Sequence, residues 1–314
     1  MREKSGAADG EDEPGGNKLP RERTIGRGIG ILGAFLFVFV LTAVLLTYLG
    51  GEQEGGGLWS DAVGVIEIRG VIESERKIVE SVRRFAKDED IRAVVLRVES
   101  PGGGVAPSQE IYREVTRLRE KKPVIASLGG VAASGGYYIA SACSAIVANP
   151  GTITGSIGVI METVNVQGLL EKIGVKGAVI KAGTYKDLGS PLRDMTAEEQ
   201  KILETMLNDV HKQFIAAVAT GRHMDEVVVR KLADGRIYSG EEAHRLGLVD
   251  QLGNFQDAVA LAAEKAGITG EPRLIRAQTR KQEWWQRLLS FWLGKEMEGG
   301  LSGLRLLYLG PQLS

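Results

Sequence analysis

The chain is 314 residues long, 43% hydrophobic and 25% charged, with a formal net charge of −1. That is a globular composition with length for one or two domains, so wholesale disorder is excluded, and the near-neutral balance excludes a dedicated nucleic-acid binder with a basic stripe. Glycine is in excess, at 42 residues, and the lone Cys143 excludes an intrachain disulfide or a multi-cysteine zinc site.

Residues 1–27 are polar and mixed in charge, with little to bury, and read as a disordered tail. Residues 28–49 (GIGILGAFLFVFVLTAVLLTYL) carry no charge. At about 1.5 Å per residue a helix of that length spans a hydrocarbon core of ~30 Å. Lys18, Arg21, Arg23 and Arg27 precede it and Glu52 and Glu54 follow it. The positive-inside rule therefore leaves the N-terminus in the cytoplasm and the rest of the chain outside the cell membrane. A cleaved signal peptide fits less well, because its apolar region is normally ~7–15 residues long. The Gly28-x-Gly30-x-x-Gly33 match to a dinucleotide fingerprint has no strand before it and is accidental. Residues 50–57 (GGEQEGGG) form a flexible linker, and a folded domain is expected over 58–270.

Within that domain, strands rich in β-branched residues are predicted at 62–72 and 91–98, then at 123–127, 145–148, 156–160 and 178–181. Helical spacing of apolar residues appears at 75–87 and 108–121. Thr196 and Glu199 form a capping box for a long helix to about residue 220, which Gly221 stops. Ser239 and Glu242 form a second box before a short helix ending at Gly247, and a last helix covers 255–266. The βαβα rhythm indicates an α/β layered fold. The remainder, 271–314, is an apolar tail; its stretch 281–293 places Trp284, Trp285 and Trp292 on one helical face. That face suits a bilayer interface, a neighbouring subunit or an apolar groove.

Two glycine-rich loops follow strands, where open α/β sheets bind ligands. Ser100-Pro101-Gly102-Gly103-Gly104 strips away side chains, so its backbone N–H groups can serve an oxyanion hole, a phosphate nest or merely a tight turn. No Gly-Lys-Ser/Thr follows, so it is not a P-loop. Ser134, in GGVAASGGYY, stands at a strand-to-helix turn and is either a helix N-cap or a nucleophile. Ala132 breaks the G-x-S-x-G pattern of an α/β-hydrolase elbow. His211, His223 and His244 all lie outside the glycine-rich loops, which disfavours a Ser-His-Asp triad. A lysine serves as base only where burial disfavours its ammonium form, and Lys186 in KAGTYKD is a candidate. Ser74-x-x-Lys77 lacks the companion boxes of a β-lactamase-type site and is noise.

SPGGG at 100–104, GGVAASGGYY at 129–138, GTITGSIGVI at 151–160, KAGTYKD at 181–187 and AHRLGLVDQLG at 243–253 occur in this order. Together they resemble the short bacterial signal peptide peptidases of the SppA type, membrane-anchored Ser-Lys proteases of the Clp protease/crotonase fold. The resemblance covers about residues 60–266. It implies Ser134 as nucleophile, Lys186 as general base, and Ser156 as the hydroxyl that orients the lysine. It also implies an oxyanion hole from the backbone at Gly102 or Gly103 and at Gly135, with no metal, nucleotide or other cofactor. The implied assembly is a ring-shaped homo-oligomer, an octamer in the short form. The implied substrates are signal peptides and other apolar peptides, cleaved on the extracytoplasmic side of a bilayer entered through residues 28–49. Two other readings share the fold: a crotonase-type acyl-CoA enzyme, and a non-catalytic membrane scaffold.

Overall fold

A computed structural model describes residues 37–42, 61–277 and 307–309. Residues 37–42 are helical (α1) and belong to a unit separate from the rest of the chain. Among the described residues no helix is long and apolar enough to cross a membrane. The rest of the expected span 28–49, the linker 50–57 and the tryptophan-bearing stretch 281–293 lie outside the described residues.

The folded unit is a mixed α/β structure around one central sheet. It begins with β1 (Ala62–Arg69), α2 (Arg76–Lys87), β2 (Ile91–Ser100), the short β3 (Gly102–Gly104) and α3 (Val105–Arg119). Then come β4 (Val124–Ala133), α4 (Gly135–Ala140), β5 (Ala145–Ala148), β6 (Ile153–Gly155) and α5 (Gln167–Lys172). The last part holds α6 (Ala197–Arg222), α7 (Glu226–Leu232), β7 (Ile237–Ser239), α8 (Gly240–Arg245), β8 (Gln251–Leu252), α9 (Phe255–Lys265), β9 (Arg273–Arg276) and β10 (Leu307–Leu309).

The main sheet runs β7-β6-β4-β2-β1-β9, with β5 beside β4 and β8 beside β5. Its pairings are parallel except β6 with β7. Strand periodicity divides the core between the two faces. Ile66, Ile68, Val94, Leu96, Val98, Ala126 and Leu128 face the helices α2, α3, α4 and α6. Val63, Ala93, Val95, Ile125 and Val147 face α9 through Ala258, Val259, Ala262 and Ala263. Burial on both faces is why these strands read as continuous apolar runs. Each fully buried Leu or Ile contributes roughly 1.5–3 kcal/mol of hydrophobic stabilisation.

Four expectations are corrected. No strand forms at 156–160, because β6 ends where Gly155 and Ser156 take successive positive φ angles of 78° and 51°. No strand forms at 178–181 either, because Val179 and Ile180 are exposed and have no strand beside them. Gly221 does not stop α6; the helix continues to Arg222 and closes on His223 in the left-handed conformation. A Cβ at Gly221 would lie 1.9 Å from the Ser141 carbonyl oxygen, so this glycine lets α6 cross the end of α4. At α8, only the Glu242 N–H to Ser239 Oγ bond of the second capping box forms, at 3.1 Å. The first box is complete, with the Glu199 N–H donating to Thr196 Oγ1 and the Thr196 N–H to the Glu199 carboxylate.

Candidate active site

The predicted residues other than Lys186 gather at the carboxyl ends of β2, β4 and β6. Ser134 follows β4 directly and occupies the N-cap position of α4. It is 1% exposed, with φ 53° and ψ −119°, and its side chain caps nothing. An L-residue with a side chain rarely adopts such a backbone, and strain of this kind costs about 1–3 kcal/mol. The backbone on either side holds it. The Ser134 N–H donates to the Gly155 carbonyl at 2.9 Å, and its carbonyl accepts from the Tyr138 N–H at 2.8 Å. Beyond it α4 is wholly buried, with the Tyr138 ring 4.9 Å from both Tyr112 and Phe214, and the Tyr137 hydroxyl donating to the Leu248 carbonyl. Burial pushes the Tyr138 phenol up to about 12. Among the described residues Ser134 Oγ has no hydrogen-bond partner.

Ser156 stands beside it. Ala133 and Gly155 are paired residues of β4 and β6, so the two serines are the next residues of adjacent strands, and both have positive φ. The Ser156 N–H donates to the Arg236 carbonyl at 2.8 Å. A cavity of about 360 Å³ opens here, lined by Ser156, Val159, Ile160, Leu207, His211 and Asp234. Another cavity, of about 670 Å³ between β1, α2 and β9, is lined by none of the predicted site residues.

The glycine loop forms β3, held on one side by Ile72: the Ile72 N–H donates to the Gly102 carbonyl and the Gly104 N–H to the Ile72 carbonyl. Gly103 must be glycine, since a Cβ would lie 2.3 Å from the Ile72 carbonyl oxygen. The Gly102 N–H is engaged by Ser100 Oγ at 3.1 Å. On its other side β3 pairs antiparallel with β10, Gly103 opposite Tyr308. Gly135 opens α4, where the first N–H groups of a helix lack intrahelical acceptors.

Lys186 is not drawn into this cluster. It is exposed, on an arm from residue 160 to 195 that contains only the short α5. The arm is tied down at its base by charge. Arg193 donates to Asp187 at 2.8 Å and to Glu199 at 2.8 Å, and Lys181 pairs with Asp187 as well. The Arg193 guanidinium, then Lys181, holds the Asp187 carboxyl far below the usual range. Arg193, then the Thr196 backbone, lowers Glu199 to about 2. Most exposed large apolar residues of the folded unit also lie on the arm, Ile160, Val164, Leu169, Ile173, Val179 and Ile180 among them.

Residues 116–269, which include Ser134, Ser156 and Lys186, match Peptidase family S49. A Synechocystis sp. protein named as a protease, slr0021, is 48% identical over 204 residues, 65% of this chain and 74% of its own length. An Enterococcus faecium protein named for signal peptide peptidase SppA is 40% identical, over 61% of this chain and 56% of its own length. The chloroplastic serine protease SPPA of Arabidopsis thaliana is 37% identical, over 68% of this chain and 32% of its own. This chain thus spans about half of the second relative and a third of the last.

Proposed function

The chain belongs to peptidase family S49 and is a serine protease, and from that premise we propose that Ser134 and Lys186 form its catalytic dyad, in a Clp protease/crotonase-like fold, and that it cleaves extended apolar peptides at a membrane. The observation that carries this is the Ser134 backbone. A serine whose purpose was to cap α4 would aim Oγ at the following N–H groups; this one is held in a strained conformation with Oγ free.

In this reading neutral Lys186 takes the Ser134 proton as Oγ attacks the peptide carbonyl. The oxyanion sits on the N–H groups of Gly135 and of Gly102 or Gly103. The lysine then returns the proton to the leaving amine, and water hydrolyses the acyl-enzyme. Ser156, one strand over from Ser134, orients the lysine.

A homo-oligomer completes the site. Lys186 is solvated in the single chain, and the arm that carries it displays apolar side chains a second copy would cover. Burial there supplies the desolvation a lysine base needs. The pairing of β10 on β3 supports an extended substrate, because this edge accepts an antiparallel strand through main-chain bonds. Signal peptides left in the membrane after secretion have the required apolar, extended chemistry, and residues 28–49 anchor the enzyme beside them.

The test is cleavage of a fluorogenic apolar peptide by the full chain in detergent. Ser134→Ala and Lys186→Ala each abolish turnover without changing the elution volume of the assembly. Wild-type turnover in either variant overturns the dyad.

A further inference from the structure

We propose that Glu99 is a positioning residue that sets the Ser134 nucleophile through a carboxylate-filled bulge in β4; the proposal rests on the assignment of Ser134 as nucleophile. The register carries the argument. Along β2 and β4, Val98 pairs with Leu128, but Ser100 pairs with Ala132. One residue of β2, Glu99, therefore faces three of β4, Gly129, Gly130 and Val131. The opposite edge of β4 changes partner at the same place, from β5 at Ile125–Leu128 to β6 at 131–133. A bulge bends its strand and re-aims the residues beyond it, and Ser134 lies three residues past Val131.

A bulge of this size leaves backbone donors without a ladder partner, and the Glu99 carboxylate takes them. The Gly130 N–H donates to both of its oxygens at 3.0 Å, and the Val131 N–H to Oε1 at 3.2 Å. Arg97 stands 3.9 Å from Oε2 and itself donates to Ser127 Oγ and the Leu128 carbonyl, on the strand just before the bulge. Gly129 makes room: a Cβ there would lie 1.7 Å from Glu99 Oε2. Glu99 is also chain neighbour to Ser100, whose hydroxyl holds the Gly102 N–H. One side chain thus couples the glycine loop to the strand that presents the nucleophile. Its oxygens are engaged by amides, so it acts on the reaction only through the backbone.

The experiment measures kcat and KM of the assembled full chain on the fluorogenic peptide, with hydrogen exchange followed across residues 128–134. A misplacement near 1 Å can cost about 10²-fold in rate. Glu99→Ala is therefore expected to lower kcat by up to roughly that factor with KM little changed, and to speed exchange at Gly130 and Val131. Glu99→Gln keeps the shape and one accepting oxygen and falls between Glu99→Ala and wild type. Gly129→Ala keeps the carboxylate but displaces it, and lowers kcat as well. If Glu99→Ala does not fold, the other two variants decide. Wild-type kcat in any variant that folds, or lower thermal stability with kcat per folded enzyme unchanged, overturns the proposal. Ser134→Ala separates the two claims. Where it is inactive and the Glu99 variants match wild type, only the positioning role fails; where it retains activity, the nucleophile and the positioning role fail together.

Discussion

Ser134 and Lys186 occupy two different kinds of structure. Around Ser134 everything is fixed: the residue is 1% exposed, its N–H and carbonyl are both bonded, and α4 behind it is wholly buried. Around Lys186 almost nothing is buried, and the arm is held by the Arg193, Asp187 and Glu199 cluster at its base. The two roles proposed for them make different physical demands. A nucleophile must be aimed, which one sheet and one helix can do within a chain. A lysine base must lose water, which takes apolar surface from elsewhere, and the arm holds most of the folded unit's exposed large apolar side chains.

The contrast breaks first if either residue is dispensable. Ser134→Ala and Lys186→Ala are expected to abolish peptide cleavage, and Lys186→Arg is expected to match Lys186→Ala, because a guanidinium stays protonated and accepts nothing. The second effect is on assembly. If burial of the arm activates Lys186, turnover per chain falls on dilution through the dissociation range of the oligomer, while a Ser134-side defect such as Glu99→Ala leaves that range unchanged. Turnover per chain that is independent of concentration while sedimentation shows monomers contradicts the role given to assembly.

The serine side was partly legible in the sequence. A small-residue loop after a β-branched strand located Ser134, and the complete Thr196–Glu199 box set the start of α6. What local sequence could not decide was cap against nucleophile, because both need a serine before a helix; the structure shows that the Ser134 side chain does not cap α4. Gly102–Gly104 and Gly129–Gly130 read as loops yet lie in strands, since Ile72 pairing and the Glu99 carboxylate supply what glycine's poor strand propensity lacks. Glu99 carries no signal in the sequence: a charged residue near a strand end ordinarily faces solvent, and only the register identifies its partners. On the lysine side, Val179 and Ile180 imitate a strand without one forming, because apolar β-branched residues look the same in sequence whether or not a sheet covers them.

Two smaller effects sharpen the contrast. Asp187 and Glu199 have folded-state values below their ordinary ones, so their ion pairs stabilise the arm fully above about 4.5, the ordinary carboxylate range, and this is lost as pH falls toward about 2. Pepsin nicking of the arm is expected to rise over that interval in the wild type and to be high throughout it in Arg193→Ala. Equal nicking of the two proteins at pH 4.5 contradicts the tie. On the serine side, burial pushes the Cys143 thiol up to about 12, so the native protein is expected to resist iodoacetamide near neutrality and to react on unfolding. Rapid labelling of the native protein would mean that the region behind α4 opens.

The most direct measurement is the position of Lys186 Nζ relative to Ser134 Oγ in a crystal structure of the assembled, active protein. A lysine of either the same or a neighbouring copy is predicted within hydrogen-bond reach, about 2.6–3.2 Å, in a site closed to water. An intact assembly in which every Lys186 remains solvated and out of reach of any Ser134 contradicts the dyad.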